Sequence, residues 1–292
     1  MRTGWLDRNI KWAFTLPAVL FVLIMMAFPI AYTFRTSFYN WSMSAANPST
    51  WVGLDNYRIL LSEQRFWNAV GSTFYFTGLA LALETVLGTA IALVLYRNFA
   101  GKNVAKTLFL LPMVATPVAM GLVWLLIYEP SIGGANAFLQ LLGLKPVDWL
   151  GNPKNVIPSL AIVDIWQWTP MISLIVMAGL STLPHEPYEA ADVDGATGWQ
   201  KLTQITLPLV RPTIMVAVML RLIDVLKTFD IIYSTTQGGP GNASETLNIY
   251  SYVQGFQYFK LGMASSLLVM FFMLVMGLTL IFIWMRKRLG VQ

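Results

Sequence analysis

Long apolar runs decide what this chain can fold into. A bilayer core takes about 20 mostly apolar residues per helix. Six segments satisfy that, at 12–34, 70–96, 105–128, 157–181, 210–234 and 262–285. Backbone amides facing lipid must be bonded within the chain, so spanning structures are helices or closed barrels, and runs this long are helices. The composition, 56% hydrophobic and 11% charged, is far from the roughly 25% charged residues of a soluble domain. The expected fold is an all-α integral membrane protein with six transmembrane helices in contact with lipid. The formal charge of +5 then reads as membrane topology rather than as a nucleic-acid surface.

Lys and Arg collect on the cytoplasmic side of membrane helices. With the N-terminus inside, the cytoplasmic pieces hold eleven of them (Arg2, Arg8, Lys11, Arg97, Lys102, Lys106, Lys201, Arg211, Arg286, Lys287 and Arg288). The outer pieces hold six (Arg35, Arg58, Arg65, Lys145, Lys154 and Lys260), so both termini are expected in the cytoplasm. The first apolar run exceeds the roughly 7–15 residues of a signal-peptide core and lacks a small-x-small cleavage site. It reads as a retained first span. With no cysteine and a single histidine, His185, the chain offers no thiolate or histidine metal set and no Ser-His-Asp machinery. No catalytic residue and no metal ligand is assigned. The absence of a G-x-x-x-x-G-K-[ST] string removes the P-loop route to nucleotide binding.

Among the connections, 35–69 is expected outside, with amphipathic stretches at 54–61 and 66–70 lying along the membrane surface. Segment 129–156 reads as outer loop, and 235–261 opens on the turn Gln237-Gly-Gly-Pro-Gly241. The cytoplasmic connection 183–208 has helical pattern. Pro187 suits a first helical turn, Glu186 and Glu189 suit the positive end of the dipole, and Gly195 suits a left-handed stop. Helix is expected to resume near Gly198 and run toward Leu207, until Pro208 turns the chain into the fifth span. So short a helix is marginal alone in water; it either rests on the protein's own helix ends or docks on a partner. His185 is expected to be an exposed polar residue.

The string Glu189-Ala-Ala-x-x-x-Gly195, with Asp194-Gly195-Ala196 at its centre and Ile205-x-Leu-Pro208 after it, resembles the EAA motif of ABC importer permeases. Trp51-Val-Gly-Leu-Asp-Asn-Tyr57, Phe66-Trp-Asn-Ala69, Leu110-Leu-Pro112, Val123-Trp124, Phe229-Asp-x-Ile-Tyr233, Thr236-x-Gly-Gly-Pro240 and Glu245-Thr-Leu247 resemble the maltose/glycerol-phosphate branch, which handles carbohydrates. The resemblance implies a type I importer permease fold with cytoplasmic coupling helices. Glu189, Ala190, Ala191, Asp194 and Gly195 would sit in a cleft of the ATPase. It also implies a second related permease, two ATP-binding subunits that hold ATP and Mg, and a solute-binding protein on the outer, periplasmic side. This chain would then be a non-enzymatic, multi-pass subunit of a bacterial inner membrane, without a cofactor of its own, moving a sugar, glycoside, polyol or anionic sugar by alternating access. In domain terms, 1–69 would precede a core permease domain, 70–292.

Charges inside a span are costly and mark functional candidates. Here they are Glu84, Asp164, Arg221, Asp224, Lys227 and Asp230. The last four recur every three residues with alternating sign, a spacing at which helix neighbours interact. They form either a neutral structural stripe or a polar face along the substrate path. The resemblance places sugar on the fourth to sixth spans, which singles out Lys227, Thr228 and Asp230, with Ser265 and Ser266. In the fourth span, Asp164-Ile-Trp-Gln-Trp168 offers Asp164, Gln167 and Trp166 for hydroxyls and ring faces; the plainer reading of the tryptophans is an interfacial belt. Glu84, alone in the second span, is expected to be satisfied by packing, and the Met-rich sixth span is expected to be bulk. A gradient-driven transporter is the first rival, since it too would use intramembrane carboxylates, but no second-half repeat supports it. A membrane enzyme is the second rival and lacks a catalytic set.

Overall fold

The computed structural model describes residues 5–43 and 48–288, apart from the side chains of 5–11 and 13. Of the N-terminal cations used for topology, Arg2 and the side chains of Arg8 and Lys11 therefore lie outside the described residues. Four helices are long and apolar enough to cross a membrane, and a bent pair makes a fifth if it counts as one span. The chain divides into two compact units, 1–63 with 251–272, and 64–250 with 273–292.

In the first unit, α1 (Trp5–Thr36) is apolar between its charged ends. None of its best apolar window is buried within the chain, as expected of a helix whose solvent is lipid. Two short strands, β1 (Tyr39–Asn40) and β2 (Thr50–Trp51), pair antiparallel with Tyr39 opposite Trp51. Helix α2 (Asp55–Ser62) is the first expected amphipathic stretch. Buried Asn56 ties it down, donating to the carbonyls of Ser37 at 2.8 Å and Tyr39 at 3.0 Å.

The second unit begins with α3 (Gln64–Tyr96). It absorbs the stretch at 66–70, which is therefore the start of a long helix and not a separate surface segment. Helix α7 (Val156–Leu180) is the most buried of the long helices, with 67% of its apolar window covered. Ala80, Glu84, Gly88 and Ala92 recur every four residues on the buried face of α3. Small residues at that spacing let helix backbones approach closely. A Cβ on Gly88 would lie 2.9 Å from Ile172 Cβ and 3.2 Å from the Thr169 carbonyl. Ile172, Val176, Leu180 and Ala92 form one core with Val210 and Ala217, both on α10 (Leu207–Leu226).

Two of the expected continuous spans are interrupted. The third is split into α4 (Lys102–Val114) and α5 (Pro117–Ile127), bent by 99°. Proline disfavours helical backbone in the residue before it, and Thr116 is extended at ψ 139°. The fifth ends at Leu226, and after Lys227, Thr228 and Phe229 a short α11 (Asp230–Thr235) begins. The expected outer loop 129–156 contains α6 (Gly134–Leu141). Buried Asn136 organises it, donating to the carbonyls of Pro130 and Val147 and accepting from Val147 N and Trp149 Nε1.

The turn at 237–241 is present, with Gln237, Gly238 and Gly241 at positive φ. Its continuation is stapled to α3: Arg65 donates to both oxygens of buried Glu245 at 2.8 and 2.7 Å and lies over the Tyr250 ring. Helix α12 (Leu247–Tyr252) follows, and α13 (Leu261–Arg288) closes the described chain.

Candidate functional site

Three helix ends, the start of α5 at Pro117 among them, and one helix face build a cavity of about 300 Å³. Helix α7 contributes Asp164 and Trp168, one turn apart. The last turns of α10 contribute Arg221 and Asp224, the linker contributes Lys227, Thr228 and Phe229, and Asp230 opens α11. Because α10 stops at Leu226, the linker's polar side chains gather at one opening rather than along a straight ladder. Asp230, in the first turn of α11, sits where an anion suits the helix dipole.

Arg221 organises the floor. Its Nε and Nη2 donate to Glu84 Oε2 and Oε1 at 2.6 and 2.9 Å, and Nη2 also donates to Asp164 Oδ2. The guanidinium lies 5.2 Å from the Trp168 ring centre. All three charged side chains are at most 2% exposed. The planar guanidinium fork fits a carboxylate with two parallel bonds, which suits a site where water is excluded. Glu84, expected to be satisfied by packing, is satisfied as the second-span partner of Arg221. The ladder expected along the fifth span is replaced by a cross-helix cluster at Arg221 and a half-exposed pair, Lys227 Nζ to Asp224 Oδ1 at 3.7 Å. Three carboxylates (Asp164, Asp224 and Asp230) line the cavity with two cations, Arg221 and Lys227, and Glu84 lies behind Arg221. Asp164 Oδ1 is buried and, among the described residues, has no hydrogen-bond partner.

Of the residues singled out from sequence, Asp164, Lys227, Thr228 and Asp230 come together here. Trp166 does not: it is 44% exposed and meets Trp124 edge-on at 5.7 Å. Residues two apart lie on nearly opposite helix faces at 3.6 residues per turn, so of the two tryptophans only Trp168 lines the cavity. Gln167 is buried beside the α4–α5 break, where its Nε2 donates to the Ala115 carbonyl at 3.0 Å. Ser266 is a buried structural residue of the first unit, bonded to the carbonyls of Ser37 and Gly262 at 2.9 Å, and Ser265 is half-buried in that unit.

The connection 183–208 folds as α8 (Glu186–Val193), then Gly195 at φ 72°, then α9 (Gly198–Lys201). The Ala196 amide bonds back to the Ala191 carbonyl at 2.8 Å, the six-to-one bond of a glycine-type helix stop. Thr197 and Gln200 cap α9 reciprocally. Helix then continues through a widened, π-type turn at 202–206 into α10. Pro208 therefore does not turn the chain: it lies within the continuing helix, directly after the widened turn. Glu189, Ala190, Asp194 and Gly195 are exposed, whereas Ala191 faces inward. Val193 at 89% and Trp199 at 72% are among the most exposed apolar side chains. His185 is exposed as expected. Among the described residues no group of His, Cys, Asp and Glu is arranged to hold a metal ion.

Comparison with known proteins places this geometry. The probable ABC transporter permease protein y4oQ of Sinorhizobium fredii is 37% identical over 276 residues, covering 94% of this chain and 89% of that protein. The trehalose/maltose transport system permease protein MalF of Thermococcus litoralis is 34% identical over 280 residues, covering 95% and 93%. A solved bacterial ABC transporter involved in the import of the acidic polysaccharide alginate superposes with a TM-score of 0.85 at 25% identity, covering 97% of each chain. Residues 84–290 match the family described as binding-protein-dependent transport system inner membrane component, and the chain belongs to that family of ABC transporter permeases.

Proposed function

We propose that this chain is the permease subunit of an ATP-driven importer that moves a carbohydrate into the cytoplasm. The observation that carries the reading is the cavity at the α10–α11 break. It combines an aromatic face, Trp168, with donors and acceptors at Lys227, Thr228, Asp224 and Asp230, the pairing that sugar rings and hydroxyls require. The sugar named in the MalF relative supports the substrate class. Lys227 already has Asp224 as its partner, and carboxylates outnumber cations, so an uncharged sugar fits better than an anionic one.

In this reading the chain crosses the membrane six times, α4–α5 and α10–α11 each counting as one interrupted crossing, with both termini in the cytoplasm. A second permease completes the path, a binding protein delivers the sugar from outside, and two separate subunits bind ATP and Mg. Exposed Glu189, Ala190, Asp194 and Gly195, with Val193 and Trp199 beside them, form the face that enters the ATPase. Closing of the ATPase dimer pulls α8 and, through the continuous helix from α9 to α10, shifts the linker at Lys227.

The test is uptake of labelled trehalose and maltose into proteoliposomes holding the whole complex and its binding protein. ATP-dependent uptake that falls in Lys227→Gln and Asp230→Asn, with basal hydrolysis unchanged, supports the reading. Uptake driven by a proton or sodium gradient without ATP contradicts it.

A further inference from the structure

A second cavity, of about 590 Å³, lies between the end of α3 and the segment that joins α8 to α10. Its wall is apolar, formed by Leu93 and Val94 of α3, Leu180 of α7 and Leu202. Its rim is polar and cationic, with Arg97, His185 and Lys201. Lys201 is paired with Asp192. Arg97 is exposed, and among the described residues no carboxylate lies within ion-pair reach of it.

We infer that this cavity binds one anionic phospholipid, its phosphate on Arg97 and the upper part of an acyl chain along Leu93 and Val94. Two features favour lipid over a soluble anion. The wall continues the apolar face of α3, and Arg97 follows the last residue of that helix, Tyr96, so a cation stands where the apolar face ends. Basic pockets between spanning helices on the cytoplasmic side suit anionic headgroups. The same cavity contains Tyr188, whose hydroxyl donates to Thr206 Oγ1 at 3.0 Å, tying α8 to the widened turn. A lipid seated here braces the segment that faces the ATPase. The inference rests on the proposed cytoplasmic placement of 183–208.

The experiment is native mass spectrometry of the purified complex with dioleoylphosphatidylglycerol, compared with dioleoylphosphatidylcholine. The wild type is expected to retain the anionic lipid in preference. Arg97→Gln should lower that retention about fivefold, the effect of one Lys or Arg near an anionic lipid surface. Arg97→Lys should keep it, Val94→Asp should lose it, and inorganic phosphate should not displace it. Equal retention of the two lipids, unchanged retention in Arg97→Gln, or displacement by phosphate would overturn the inference. The measurement reads binding and not transport, so failure of ATP-driven sugar uptake would leave its outcome separately readable.

Discussion

Arg221 of α10 grips Glu84 of α3 through two hydrogen bonds, at 2.6 and 2.9 Å, across 137 residues of sequence and with both side chains buried. Asp164 of α7 shares the same guanidinium. One side chain therefore joins the three helices that frame the candidate path. Removing one partner of a buried pair leaves an uncompensated charge and costs about 3–5 kcal/mol, whereas replacing the whole set with neutral residues is far less damaging. Arg221→Met is expected to lower the stability of the purified complex by about that amount. Arg221→Met combined with Glu84→Gln and Asp164→Asn should recover most of it in the same thermal unfolding assay. A triple variant as unstable as the single one would show that the cluster is not the source of the cost.

Close packing of α3 on α7 depends on Gly88, whose added Cβ would meet Ile172 at 2.9 Å. Overpacking a filled interface costs about 1–3 kcal/mol. Gly88→Leu should fall in that range and Gly88→Ala below it, read as a graded drop in unfolding temperature. Equal temperatures for wild type and Gly88→Leu would contradict the contact.

Gln167 supplies the donor for the Ala115 carbonyl at the α4–α5 break. Gln167→Met keeps the length of the side chain and removes the donor to this part-buried carbonyl, at a cost of about 0.5–1.5 kcal/mol, the net worth of one hydrogen bond. Differential unfolding of the two proteins measures it, and an unchanged midpoint would mean that another group satisfies the carbonyl.

Glu129 lies outside the spans, and its carboxylate accepts from Ile132 N at 2.6 Å and from Ser131 N and Oγ at 2.8 Å. The backbone bond from Ile132, then the Ser131 hydroxyl, hold its pKa below the usual carboxylate range. A depressed carboxylate contributes order that is present above its unfolded pKa and lost as pH falls through the folded one. Hydrogen exchange at the Ile132 amide should therefore lose protection only in acid. Glu129→Gln should show weaker protection with no such pH dependence.

The helical class, four long spans and the stop at Gly195 were legible because each depends on local pattern: apolar run length, or one glycine at a helix end. The break at Ala115–Thr116 was marked by Pro117 but outweighed by the unbroken apolar run. The Arg221–Glu84 pair was not legible. Spacing along one helix favours Asp224 as the partner, and only the packing of α3, α7 and α10 brings Glu84 and Asp164 to the guanidinium. The choice of Trp168 over Trp166 was available from helical periodicity alone. The roles of Ser266 and Gln167 were not, since their partners at Ser37 and Ala115 are distant in sequence.

The central claim is that the segment around Gly195 couples this permease to ATP hydrolysis. Gly195 holds φ 72°, and a Cβ there would meet nothing within 4 Å, so a substitution acts on the backbone without disturbing packing. Proline cannot adopt that φ. The decisive measurement is substrate-stimulated ATP hydrolysis by the reconstituted complex, wild type against Gly195→Pro, with assembly verified. The account predicts that stimulation collapses while the complex stays intact. Unchanged stimulation and transport would reduce the segment to a connector and contradict the account.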